Sequence, residues 1–476
     1  MTLNTQAQQL YLSAGNFFQT QDYAHAADQY QEFLKRDRDQ PDRLEAQMML
    51  AESLYRQGIA QLSLSPKRAA KIFKQAKKAY KKVSRDSPSG DYLAESARFR
   101  IGEMAFNLGQ YDEAVSDMES LVSDYPLGTL RGEARLLEAE ALMSQKQFSK
   151  AENLLDEALK EQPSYADNPR LKLVRGIALF ETGNPAAALA SLSGLQSPLA
   201  LLYSARANMN LEKPLIAVEN LKTLIADYPE DPEVEMSRYL VGEAFFEARD
   251  YTSAAQVFNQ FLMDYPRSSL RGAATYKMGL CSYNLKDYMA ARGDFESVEQ
   301  MSPPGEFAEP SLYMMGESFL KEGNYTKAGF DYSDLSSAYS NRLAGTAQFK
   351  LAWTQYKRQE YPEAHVTLNS FIVRYSSHPL VPAAAYLNGN TLGSEGKYRQ
   401  AAHAYQQSLD LAASNLYPYR SLILNPALAM LSRSYLEAGE YGHLISGYQY
   451  VLKENAPTQD PWRAAALLYI ASAYFF

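Results

Sequence analysis

Gly242-Glu243-Ala244-Phe245-Phe246, Asp250-Tyr251, Ala254, Phe258, Phe261 and Asp264-Tyr265-Pro266 form one short run of the chain. A small residue lies twelve positions before a second one, an apolar residue follows by seven, and a proline closes the run by twelve. The same spacing organises Gly102, Ala114, Leu121 and Pro126. It recurs at Ala139/Ala151/Pro163, Ala205/Ala217/Pro229 and Gly279/Ala291/Pro303. Without the proline it continues at Gly316/Ala328, Ala352/Ala364, Gly389/Ala401 and Gly176/Ala188. Weaker copies stand at Ala14/Ala26, Ala51/Ala76 and Ser432/Leu444. Repetition at a period of 36–37 residues takes precedence over local secondary-structure signals.

The spacing predicts paired antiparallel helices. Small residues at a crossing let two helices approach to the short end of the usual interaxial range. Tyr251, Tyr288, Tyr325, Tyr361 and Tyr398 are expected between hairpins, and Gly109, Gly183, Gly323, Gly396 and Gly439 suit left-handed C-caps. Pro126, Pro229 and Pro266 end second helices. No hairpin buries both of its faces alone, so neighbours must stack.

These residues resemble the tetratricopeptide repeat family over nearly the whole chain. The resemblance implies an all-α, right-handed superhelical solenoid of antiparallel helix-turn-helix repeats that acts as a protein-binding scaffold. The slightly long unit and the Asp-Tyr-Pro closures at 124–126, 227–229 and 264–266 are similar to bacterial envelope proteins. Examples are the lipoprotein of the β-barrel assembly machine and the periplasmic coordinator of the Tol-Pal system. That resemblance implies a periplasmic or outer-membrane-associated adaptor. A periplasmic arm of a larger export machine, for example for polysaccharide, and a cytosolic peptide-binding co-chaperone remain open as alternatives.

Composition narrows the classes. The chain has 476 residues, 46% of them hydrophobic, enough for a continuous packed core. A net charge of −8 disfavours nucleic-acid binding, which needs a basic surface. Cys281 is the one cysteine, so neither an internal disulfide nor a cysteine metal site is expected. The five histidines are scattered, no glycine loop cradles a phosphate, and neither catalysis nor a cofactor or metal is expected. The start Met1-Thr2-Leu3 lacks the signature of an export leader, which fits either a cytosolic protein or a removed leader.

Two sub-arrays are expected, 1–198 and 199–476. The first carries an insertion at about 56–72, with two long helices broken at Ser63-Leu64-Ser65-Pro66. The second follows a shortened helix near Ser193–Pro198 and contains a long connector at Asn415–Tyr419. It ends in an incomplete repeat from Asp460 to Phe476, expected to be a fragment's edge or a face covered by a partner.

The residue after the first-helix small residue should face the concave groove: Glu52, Glu103, Glu140, Glu243 and Glu317, then Trp353, Asn390 and Arg433. One turn earlier on that face stand Phe99, Tyr239, Tyr276, Tyr313, Phe349 and Tyr386. Two expectations follow from the pattern. A basic or amphipathic partner segment could lie against these carboxylates, with the aromatics as anchors. Alternatively the glutamates pair with arginines of the neighbouring repeat, such as Arg100 and Arg135, and the aromatics pack between helices. Clamping a partner's terminal carboxylate is disfavoured, because glutamate repels it.

A second outlier lies after Pro66. Lys67, Lys71, Lys74, Lys78, Lys81 and Arg85 recur at steps of four and three, forming one helical stripe uninterrupted by acids. Ala69, Phe73, Ala76, Tyr80 and Val83 should pack inward. Either a solvated charged face or a dock for an acidic protein or anionic lipid surface is expected.

Overall fold

The computed structural model describes residues 3–36, 42–88, 90–301, 305–413, 420–444, 446 and 461–473. The connector at 415–419, Asp460 and the last three residues lie outside the described residues. Among the described residues every regular element is helical. The chain divides into two compact units, Met1–Ser237 and Arg238–Phe476.

Within each unit, consecutive helices pack against one another. Representative hairpins are Tyr92–Asn107 with Tyr111–Asp124, Arg131–Ser144 with Phe148–Glu161, and Arg271–Asn284 with Tyr288–Glu299. The insertion forms the two long helices expected, Arg43–Leu62 and Pro66–Asp86, broken at Ser63–Ser65. The shortened second helix is Pro185–Leu192, and Pro198–Asn210 begins after Gly194. Pro461–Ala473 is helical and packs on Arg420–Glu437.

Apart from the insertion's pair, one turn geometry joins the two helices of a hairpin. Seven residues after the crossing position the chain enters the left-handed region: Gly109, Gly183, Gly323, Gly396 and Gly439 have φ between 70° and 85°. Gln21, Lys146, Glu212, Arg249, Lys286 and Gln359 adopt the same conformation with a side chain, at φ between 57° and 66°. A backbone bond then closes the Schellman motif, as in Gln110 N–H to Ala105 O and Asp287 N–H to Ser282 O, both 2.9 Å. Asp250, Asp287 and Asn324 cap the next helix through their side chains, accepting from Ser253, Ala290 and Lys327 N–H.

The crossing itself is close packed. An added Cβ on Gly242, Gly279, Gly316 or Gly389 would stand 2.5–2.7 Å from the rings of Phe258, Phe295, Tyr332 or Tyr405. Each ring sits four residues after the second-helix alanine and is fully buried. Glycine is required there because the ring lies directly against the first helix's backbone.

Candidate functional site

The glutamates that follow the crossing residue lie on one face of the first helices, yet none stands free. Their side chains are only 13–25% exposed. Each meets a cation. Glu140 is gripped by Arg170 of the next hairpin, with Nε at 2.6 Å and Nη2 on the other oxygen. Lys277 Nζ stands 2.8 Å from Glu243, and Lys350 Nζ 3.0 Å from Glu317. Arg100 reaches back to Glu52 at 3.4 Å and along its own helix to Glu103 at 2.5 Å. Burial works against the Arg100 charge, but Glu52 and Glu103 hold the guanidinium protonated above its ordinary value. Arg135 bonds Glu138 of its own helix at 3.0 Å.

Hydroxyls complete the carboxylate shell. Tyr80 Oη donates to Glu52 at 2.7 Å and Tyr332 Oη to Glu317 at 2.6 Å; Tyr405 Oη donates to Asn390 at 2.7 Å. Where the ring under the crossing is the hydroxyl-free Phe258, Tyr239 donates to Glu243 instead, at 3.0 Å. Burial first, and then the adjacent carboxylate, push the Tyr332 and Tyr239 phenols well above their ordinary range, so both remain donors. Arg433 is exposed.

The aromatic row is set deeper than an exposed wall. Tyr239 is buried, with its ring 5.7 Å from Phe258 and 6.0 Å from Phe261. Phe99, Tyr276, Tyr313, Phe349, Trp353 and Tyr386 are half-buried. Tyr276 meets Phe295, Tyr313 meets Tyr332, Phe349 meets Phe371 and Tyr386 meets Tyr405. Trp353 lies edge-on to Tyr325, with Lys357 over its ring.

Sequence reasoning missed the tyrosine hydroxyls and most of the counter-cations. Both have a signal. Arg100, Lys277 and Lys350 each stand two residues before a crossing residue, and Tyr332 and Tyr405 each four after a second-helix alanine.

The stripe helix turns Lys67, Lys71, Lys74, Lys78, Lys81 and Arg85 outward, over buried Ala69, Phe73, Ala76, Tyr80 and Val83. Cys281 is buried, and burial pushes its thiol up to about 12, away from nucleophile chemistry. Among the described residues no cluster of three or more histidine, cysteine or carboxylate side chains suits a metal, and no helix is long and apolar enough to cross a membrane.

Tetratricopeptide repeat models match residues 11–71, 105–167, 169–192 and 204–269. The chain carries tetratricopeptide repeats. A further model, described as an outer membrane lipoprotein (YfiO), matches residues 306–414. No curated protein matches the chain. Similar solved structures include a tetratricopeptide repeat protein from Parabacteroides merdae, at 14% identity and TM-score 0.38 over 55% of this chain and 98% of that one. The C-terminal part of a TPR repeat-containing protein from Cytophaga hutchinsonii gives 13% and 0.41, over 56% and 99%. The APC/C hetero-tetramer Cut9-Hcn1 gives 15% and 0.33, over 98% and 90%. Tetratricopeptide repeats imply a scaffold for protein–protein interaction, and their families are in general not catalytic.

Proposed function

We propose that this chain is an adaptor of a bacterial cell-envelope assembly, periplasmic or outer-membrane-associated, which takes partner segments along the face of its first helices. The match of residues 306–414 to an outer membrane lipoprotein model carries the envelope part of the reading. The ladder of Glu140–Arg170, Glu243–Lys277 and Glu317–Lys350 supports the rest. A basic segment that takes the place of Lys277 or Lys350 exchanges one cation for another and leaves neither carboxylate unpaired. The half-buried rings of Tyr276, Tyr313, Phe349, Trp353 and Tyr386 supply apolar contact beside those charges.

Site-specific photo-crosslinking in native cells tests this. A crosslinker placed at Tyr313, Phe349 or Tyr386 of the full gene product should yield adducts with an envelope protein. Combined replacement of Glu103, Glu140 and Glu243 by lysine should lower their yield by about tenfold with helicity retained. Adducts confined to cytosolic proteins, or a yield indifferent to the charge reversal, would remove the proposal.

A further inference from the structure

Beside the basic row lies an apolar cavity. It occupies about 290 Å³ between Pro66–Asp86 and the following hairpin, with Phe73, Ile101, Met104 and Leu108 in its lining and Lys74 and Lys77 at its edge. Lys77 is engaged, 2.5 Å from Glu113, and Arg85 bonds Asp86 at 2.9 Å. Lys67, Lys71, Lys74 and Lys78 form no ion pair among the described residues. Like charges three and four apart on a helix repel, and these four lysines share one face of an otherwise acidic chain.

We infer that this face docks an acidic polypeptide segment, which sets one large apolar side chain in the cavity and lays carboxylates against Lys71, Lys74 and Lys78. Charge complementarity selects the acid, and the lining of Phe73, Ile101, Met104 and Leu108 selects the anchor. A narrow segment is favoured over a flat anionic bilayer. Across the cavity the exposed Glu113 of helix Tyr111–Asp124 lines the same hollow, where a plane of lipid head groups would meet it together with the lysines. The inference rests on the scaffold reading only in requiring a protein partner, and it concerns residues other than the glutamates of that face.

The probe is a fluorescent synthetic peptide, rich in glutamate with one central phenylalanine, titrated into the full chain and followed by anisotropy. It should bind, and weaken as salt is raised. Reversal at K71E/K74E/K78E should weaken it about tenfold, since three partly exposed pairs are lost. A peptide with alanine for the phenylalanine, and the cavity-filling variant Ala70→Phe, should each lose affinity while the row of cations stays intact. Failure of the peptide to bind, or equal binding by all variants with unchanged circular dichroism, overturns the inference. So does capture of phosphatidylglycerol vesicles in place of the peptide. None of these outcomes bears on crosslinking from Tyr313, so the two proposals fail separately.

Discussion

The hairpins Arg131–Ser144/Phe148–Glu161 and Arg271–Asn284/Tyr288–Glu299 follow the same backbone plan, yet they fill their crossings differently. In the first, Ala139 packs with Leu155. In the second, Gly279 lies against the ring of Phe295. Ala205 with Leu221 and Ala352 with Leu368 repeat the first solution; Gly242, Gly316 and Gly389 over Phe258, Tyr332 and Tyr405 repeat the second. Between these two solutions the summed volume of the pair is held, as expected of an interior packed to crystal-like density. Gly176 over Leu192 and Gly102 over the flexible Met118 depart from it, with a smaller sum.

The comparison breaks most sharply at Gly279→Ala. Alanine gains about 1 kcal/mol in helix propensity, but its Cβ would stand 2.6 Å from the Phe295 ring, which is fully enclosed. Overpacking of about 1–3 kcal/mol should prevail, leaving the variant destabilised by up to about 2 kcal/mol. Adding Phe295→Leu converts the pair to the alanine–leucine solution and should recover much of the loss. Denaturant titration of the double-mutant cycle measures this, and additive effects of the two substitutions would refute the volume rule.

An effect of similar size is expected at Tyr332→Phe. The ring stays and the hydroxyl bonded to Glu317 at 2.6 Å goes, leaving that carboxylate with Lys350 and the Tyr313 hydroxyl. The expected loss is about 1.5 kcal/mol, typical of a hydrogen bond to a charged group. Phe295 already stands at the equivalent position without a hydroxyl. Equal stability of the variant and parent by denaturant titration would mean that the carboxylate needs only its cation.

Much of this architecture was legible. Spacing alone located Gly279, Ala291 and the glycine turns, because a helix crossing demands small volume and a left-handed turn tolerates glycine best. The same turn at Arg249 and Lys286 carries no glycine, so those side chains gave no sign of their positive φ. On the candidate face, the position of Glu243 could be read, but its closure by Lys277 could not. That contact joins residues 34 apart through side-chain rotamers and the separation of stacked helices, neither of which is written in periodicity. Tyr239 illustrates the same limit. Its position one turn before Glu243 is correct, whereas its burial comes from the size of Phe258 and Phe261 opposite.

The finest test of the comparison uses pH. Three residues after the second-helix alanine the first hairpin carries Leu154, while Asp294 and Asp331 occupy that position after Ala291 and Ala328. Burial pushes the Asp331 carboxyl up to about 7, with Asp334 adding to the rise and Arg292 and Lys327 opposing it. Burial likewise brings Asp294 to about 6, against the hydrogen bond with Ser282. Because the folded chain binds these protons more tightly than the unfolded one, the stabilisation is complete below the ordinary value near 3.8 and is lost as pH climbs through about 6 to 7. The first hairpin has its own contributor, Glu138, raised to about 7 by burial despite Arg135. The thermal midpoint should therefore fall between about pH 4 and 7 and level off above, with Asp331→Asn and Glu138→Gln each flattening part of the slope and the pair flattening more than either. If the slope is unchanged by both substitutions, Asp331 and Glu138 are not the groups that set it.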